Sequence, residues 1–301
     1  MMFLKQAVPV LSFCSGSIKH GQLTVDVLRL DLLHPEISGN KWYKLKHNIL
    51  EAQSRGINTV LSFGGAWSNH IHALAAAGKH FGFKTIGVIR GERPKQPSAM
   101  LQDVERWGMQ LVYVSRYDYR KRYEPEYHQE LLEQLSLQNN EVWIVPEGGS
   151  GELGVKGCEE ILESGSIDPA DYDQIWLAAG TGATAAGVIR SVNNRSHVKV
   201  VPVLKGAAFM EADINQYLDA SLTNWSLDLE GHCGGYGKTT PELLQFITET
   251  EEESGLPLDQ VYTGKMLLAF KKAVEAGQVA EGCRVLLIHT GGLQGRRGLK
   301  I

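Results

Sequence analysis

Along this chain, short apolar runs rich in β-branched residues alternate with amphipathic stretches of helix length. The runs at 59–63, 85–90, 110–114, 142–145, 174–178, 198–204 and 284–289 are almost continuous in apolar side chains. A strand covered on both faces reads this way. The stretch 24–32 differs. Val25, Val27, Leu28 and Leu30 are interleaved with Asp26, Arg29 and Asp31, which predicts a strand with one wet face.

Helix periodicity falls between these runs, at 41–55, 69–81, 97–107, 125–137, 152–164, 184–192, 240–254 and 264–276. In the first of them Leu45, Ile49 and Ala52 share one stripe. Strand–helix alternation implies βαβ units and mostly parallel sheets. The strands are too many for one comfortable sheet. The expected fold class is therefore α/β, with two domains built on open, mostly parallel twisted sheets. Breaks at Gly39 and in the loop 146–151 divide the chain into a small domain, 39–145, and a large domain, 1–38 with 146–301.

Composition narrows the function classes. With 43% hydrophobic and 21% charged residues, the 301-residue chain can bury a sizeable core. A net charge of -4 argues against a nucleic-acid or anionic-membrane partner. The basic-aromatic run 116–126 reads as a solvated loop. Cys14, Cys158, Cys233 and Cys283 are scattered and form no C-x-x-C pair, so no metal site is expected. This thiol usage, a start that does not read as a signal peptide, and the lack of a run near ~18 apolar residues predict a reduced, cytoplasmic protein.

Chemistry enters through glycine. The run 174–178 leads into Ala179-Gly180-Thr181-Gly182-Ala183-Thr184-Ala185-Ala186-Gly187, which opens a helix. Such a loop presents unpaired N–H groups and a positive dipole end to an anion, and two threonine hydroxyls add donors. Gly180-x-Gly182-x-x-Ala185 also fits a dinucleotide fingerprint. That reading needs an acid at the end of the next strand, and none appears until Glu211. A compact phosphate is preferred. Further glycine pairs follow other strand candidates, at Gly64-Gly65, Gly148-Gly149 and Gly291-Gly292. Together they describe one glycine-lined crevice at the carboxyl ends of strands. Lys41 opens the helix 41–55. An amine beside a phosphate cup points to a cofactor aldehyde held as a Schiff base.

The segments Ser38-Gly39-Asn40-Lys41-Trp42-Tyr43-Lys44-Leu45, Ser68-Asn69-His70, Pro146-Glu147-Gly148-Gly149-Ser150 and Gly180 to Gly187 occur in that order. Gly235-Tyr236-Gly237, Val261-Tyr262-Thr263-Gly264-Lys265 and Ile288-His289-Thr290-Gly291-Gly292 follow. In these the chain resembles the 1-aminocyclopropane-1-carboxylate deaminases and D-cysteine desulfhydrases, pyridoxal-phosphate enzymes of the tryptophan-synthase-β fold type. The resemblance covers almost the whole chain.

It implies pyridoxal 5'-phosphate in the cleft between the domains, covalently held by Lys41, which would later move the substrate α-proton. Ser68 and the amides of Asn69 and His70 would take the carboxylate of a small amino-acid substrate, with Ser68 near the reacting carbon. Asn69 would hydrogen-bond the ring's phenolic oxygen. Gly180, Thr181, Gly182, Ala183 and Thr184 would hold the phosphate. Tyr262 and Tyr236 would lie against ring and substrate, and Thr290 would face the ring nitrogen. A homodimer is expected on the same ground. On the residues alone, Tyr236 and Tyr262 read equally well as packed tyrosines, and His289 as a structural strand-end histidine.

Departures concern the substrate. Tyr43 stands where the family often has Arg, and Gly151 where Asn is common. Thr263 occupies the position at which the cyclopropane-opening enzymes usually carry Glu against the ring nitrogen. Hydroxyls at Thr263 and Thr290 supply no charge to hold a proton there. The expected reaction is conversion of D-cysteine, or a similar β-substituted amino acid, to a 2-oxo acid and ammonia, in preference to opening the cyclopropane. The rivals are a racemase on the same scaffold, a nucleotide-dependent oxidoreductase, and an inert ligand-binding protein.

Overall fold

The computed structural model describes residues 7–16, 18, 23–37 and 39–298. The elements run β1 (Val10–Ser12), β2 (Thr24–Arg29), α1 (Asn40–Ser54), β3 (Thr59–Gly64), α2 (Asn69–Phe81), β4 (Lys84–Arg90), α3 (Ala99–Arg106), β5 (Gln110–Val114), α4 (Pro125–Gln134) and β6 (Trp143–Val145). They continue with α5 (Glu152–Cys158), α6 (Ile161–Ser164), β7 (Gln174–Ala179), α7 (Ala183–Val192), β8 (His197–Pro202), α8 (Met210–Asn215), β9 (Trp225–Leu227), α9 (Pro241–Ser254), α10 (Thr263–Glu275) and β10 (Arg284–His289).

Two sheets result. The larger has the order β1-β2-β10-β7-β8-β9 and the smaller β5-β4-β3-β6. Every pairing is parallel except β1 with β2. Both faces of each sheet are covered. In β7, Trp176 packs with Phe270 and Val201, while Ile175 and Leu177 enter the core on the other side. In β3, Leu61 and Phe63 face Leu131 and Tyr127, and Val60 faces the opposite way. One core cluster runs from Val60 and Ile89 through Leu45 and Val155 to Ile175, so the two sheets share packing through α1 and α5.

The stretch 24–32 departs from expectation. The strand ends at Arg29, and a 3-10 turn covers Leu30–Leu32. Its face is not wet. Val25 and Val27 pack on one side, Leu28 on the other, and Asp26 accepts a 2.9 Å hydrogen bond from the Tyr172 hydroxyl. The charges that looked solvated form a buried cluster. Arg29 holds Asp31 through two bonds of 2.8 and 2.6 Å, and His289 Nδ1 lies 3.1 Å from the same carboxylate.

The expected helix 152–164 is two helices, α5 and α6. Gly154 and Gly157 let α5 press onto its neighbours: a Cβ on Gly157 would overlap the carbonyl oxygen of Tyr43, and one on Gly154 that of Gly149. Close crossing by glycines forfeits helix propensity. The short elements β1, α8 and β9 carry too few residues to display a period.

Candidate active site

The carboxyl ends of β3, β7 and β10 point at one crevice, and α1 begins there. Gly39 makes that start fit. Its φ is 68°, and a Cβ on it would overlap the carbonyl oxygen of Thr290, which accepts the Asn40 N–H at 3.1 Å. Only glycine allows this backbone contact between α1 and the end of β10. Ser38, which opens the matching segment, lies outside the described residues.

On the first turn of α1, the Lys41 amine donates to Asn40 Oδ1 at 2.9 Å and lies 5.8 Å from the ring centre of Tyr262. The Asn40 amide in turn donates to Thr184 Oγ1 at 2.8 Å. One turn on, buried Lys44 reaches Thr181 Oγ1 at 3.2 Å. The spacing of three residues puts both lysines on one face of the helix, aimed at the glycine loop after β7. Burial lowers the Lys41 amine to about 7, and the nearby Lys44 charge adds to the shift. Burial lowers Lys44 as well.

The glycine loop is built as the sequence implies, with one difference. Gly182 precedes α7 with φ 77° and offers no side-chain cap, so the first N–H groups of α7 are left for a ligand. A Cβ on Gly182 would meet Ile214 at 3.0 Å and Met210 at 3.7 Å, apolar side chains of α8. Gly180 is the position facing the crevice: its Cβ would lie 3.3 Å from the Tyr262 ring.

Across the crevice, Ser68 caps α2, its hydroxyl accepting the Ile71 N–H at 3.2 Å. Gly64 leaves room for it, since a Cβ there would stand 2.7 Å from Ser68 Cβ. The Asn69 carbonyl oxygen accepts from Gln294 at 2.6 Å, and its amide nitrogen lies over Gly292, where a Cβ would overlap it. The Asn69 NH2 is thereby presented as a donor.

His70 is buried, with Nε2 2.8 Å from Ser62 Oγ, and Ser62 Oγ is 2.7 Å from the Val145 carbonyl. A carbonyl only accepts, so Ser62 donates to Val145 and His70 Nε2–H donates to Ser62. Nδ1 is then a bare acceptor, without a partner among the described residues. Burial and the charges of Lys41 and Lys44 hold the imidazole neutral.

Tyr236 is exposed and meets Tyr262 edge to face, ring centres 6.3 Å apart. Burial, then Tyr236, pushes the Tyr262 phenol well up. Buried Lys265 fixes the Tyr236 loop, donating to the carbonyls of His232 at 3.0 Å and Gly235 at 2.7 Å. Asp259 caps α10. It accepts the N–H groups of Val261, Tyr262 and Thr263 and the Thr263 hydroxyl at 2.8 to 2.9 Å. The Thr263 hydroxyl proton is therefore spent on Asp259 and is not offered to a ring nitrogen. Thr290 is buried beside Gly39. His289 is structural, bonded to Asp31 and, at 2.7 Å, to the Pro257 carbonyl.

The structure thus brings Lys41, Thr181, Thr184, Gly180, Tyr262 and Tyr236 to one side of the crevice, and Ser68, Asn69 and His70 to the other. Lys44, Lys265, Gln294 and Asp259 were not singled out from sequence. The spacing to Lys41 could have flagged Lys44. Lys265 ends the segment Val261 to Lys265, but a lysine inside an amphipathic helix ordinarily reads as solvated, so its burial carried no signal.

These groups fit pyridoxal phosphate. A phosphate finds free N–H groups, two hydroxyls and the Lys44 ammonium; an aldehyde finds an amine of lowered pKa; and glycines at 180 and 292 leave room for a flat ring.

The model of the family described as pyridoxal-phosphate dependent enzyme matches residues 21–291. The chain belongs to that family. Its cofactor is pyridoxal 5'-phosphate. Among curated relatives, a putative 1-aminocyclopropane-1-carboxylate deaminase of Thermotoga maritima is 30% identical over 93% of this chain and 91% of that protein. A mitochondrial bifunctional D-cysteine desulfhydrase/1-aminocyclopropane-1-carboxylate deaminase of Arabidopsis thaliana is 29% identical over 89% of this chain and 72% of that protein. A crystal structure of an ACC deaminase homologue superposes with a TM-score of 0.81, covering 98% of this chain and 92% of its own at 24% identity, a likeness of fold.

Proposed function

We propose that this enzyme converts a small β-substituted amino acid, D-cysteine or a close analogue, to a 2-oxo acid and ammonia. The observation that carries the reading is Lys41: an amine lowered to about 7, held over the Tyr262 ring and facing the glycine loop. The curated relatives named as D-cysteine desulfhydrases and cyclopropane-carboxylate deaminases support it.

In this reading Lys41 anchors the cofactor and, as a free amine, takes the substrate α-proton. The cofactor, when bound, supplies an electron sink for the pair left on the α-carbon. Lys44, Thr181, Thr184 and the amides of Gly180, Gly182 and Ala183 neutralise and orient its phosphate. The Ser68 hydroxyl and the amides at the start of α2 take the substrate carboxylate at a positive helix end. Asn69, steadied by Gln294, would donate to the ring's phenolic oxygen. Tyr262 and Tyr236 close over the substrate and exclude water. Thr290, buried beside Gly39, would face the ring nitrogen. The Asp259 carboxylate is taken up by its bonds to Val261, Tyr262 and Thr263, so Thr290 would offer the ring nitrogen a hydroxyl. Residues that offer the ring nitrogen hydroxyls and no charge would suit expulsion of a thiolate better than opening of an unactivated ring C–C bond.

We assign residues 39–145 to the smaller unit and 1–38 with 146–301 to the larger, with the cofactor between them. The protein works as a cytoplasmic homodimer. A screen of 2-oxo-acid release across small D- and L-amino acids and the cyclopropane amino acid tests the activity. The expected result is a higher kcat/KM for D-cysteine than for 1-aminocyclopropane-1-carboxylate. A clear preference for the latter would overturn the substrate assignment.

A further inference from the structure

Arg90 ends β4, directly beside the loop that begins at the end of β3: Gly64 pairs with Ile89, so Arg90 faces Gly65. A Cβ placed on Gly65 would have one neighbour within van der Waals range, the Arg90 guanidinium at 3.8 Å. Gly65 has no left-handed φ, so its backbone does not call for glycine. What glycine does here is keep open the space between the Ser68–His70 loop and the guanidinium.

Arg90 is exposed, and the groups behind it are bonded to one another and unevenly charged. Its guanidinium lies 5.8 Å from the ring centre of buried Tyr119, and that of Arg122 lies 5.0 Å from the same ring. Glu147 accepts from the Tyr119 hydroxyl at 2.7 Å and from Arg122 at 2.6 Å. Its one negative charge is matched to Arg122. Among the described residues no carboxylate forms an ion pair with Arg90. Two cations and one anion leave one positive charge at the mouth of the crevice. Glu147 also precedes Gly148, whose Cβ would touch Thr181 of the glycine loop, so this cluster borders the cofactor site itself.

We infer that Arg90 selects amino acids whose β-substituent ends in an oxyanion, a phosphate ester or a sulfonate. This rests on the activity proposed above. With the α-carboxylate at the start of α2, the β-substituent extends over Gly65, where the guanidinium meets two of its oxygens in its planar fork. Lys41 takes the α-proton. The bond from the β-carbon to the substituent breaks, and the electron pair leaves with the substituent. One water completes the balance: amino acid plus water gives 2-oxo acid, ammonia and the protonated leaving group.

The test measures kcat/KM of the holoenzyme for O-phosphoserine and 3-sulfoalanine against O-acetylserine, in both configurations. Leaving-group chemistry cancels when the anionic-to-neutral ratio is compared between wild type and Arg90→Gln. A charge-assisted hydrogen bond corresponds to about ten- to a hundredfold. The ratio should fall by that factor in Arg90→Gln, through KM more than kcat, and return in part in Arg90→Lys. A fall confined to one anion identifies which oxyanion the site takes. Turnover of O-acetylserine with an unchanged ratio in Arg90→Gln would overturn the inference and leave the activity standing. No 2-oxo acid from any substrate would overturn the activity itself.

Discussion

At the scale of residues, the proposed chemistry turns on the protonation of one amine. Lys41 is lowered to about 7 by burial and by the Lys44 charge, so it is mostly amine above that pH and mostly ammonium below. Only the amine attacks an aldehyde. The rate at which apoenzyme takes up pyridoxal phosphate covalently, followed by absorbance, should fall as pH drops through a midpoint near 7. Lys44→Met removes a like charge, and the midpoint should move up. A wild-type midpoint near the ordinary lysine value would contradict the burial argument. The same substitution removes the ammonium at Thr181, so cofactor affinity should weaken by about ten- to a hundredfold, read by equilibrium titration. Lys41 was legible in the sequence because Gly39-Asn40-Lys41 precedes a helix and accompanies a phosphate loop. Lys44 and Lys265 lie in segments that carry the resemblance, but no role could be read for either, because whether a lysine is buried depends on the elements packed over it.

Elements are held in register by a few close contacts. Gly39 joins α1 to the end of β10, and Gly39→Ala meets both the left-handed φ and the carbonyl oxygen of Thr290. A positive φ with a ψ of -150° is essentially a glycine conformation and alone costs another residue about 1–3 kcal/mol. This variant should melt at a lower temperature and hold less cofactor; a wild-type melting curve with full cofactor content would show that the contact is dispensable. A second joint is the buried Arg29–Asp31–His289 cluster, which ties the turn after β2 to β10. Burial would raise the Asp31 carboxyl, but hydrogen bonds from Arg29 and His289 outweigh it and hold it well below the usual carboxylate range. Asp31 therefore stays charged through mild acid, and its contribution to stability is lost only as pH falls through that depressed value. Asp31→Ala strands two buried donors and should cost about 3–5 kcal/mol in denaturant unfolding. A loss under 1 kcal/mol would mean the pair is replaceable. Periodicity located the long strands and helices well. It misread 24–32, because Asp26, Arg29 and Asp31 look solvated until Tyr172 and His289 arrive from far along the chain.

For the whole molecule, alternation of strands and helices announced parallel α/β sheets, and two sheets are present. Their order was not legible. β10 lies between β2 and β7, and that pairing joins the two ends of the chain through contacts no local pattern encodes. The glycine loops were legible as a set because each follows a strand, and strands of one parallel sheet end on the same side. That the loops after β7 and β10 close on the start of α1, through Asn40 with Thr184 and Gly39 with Thr290, follows from the sheet order and from no local pattern. The most direct test of this convergence is borohydride reduction of the holoenzyme followed by peptide mass mapping. The account predicts loss of the cofactor's visible absorbance and a reduced pyridoxyl-phosphate label on Lys41, absent in Lys41→Ala. A label on Lys44, Lys265 or any other lysine, or an absorbance that borohydride leaves intact, would contradict it.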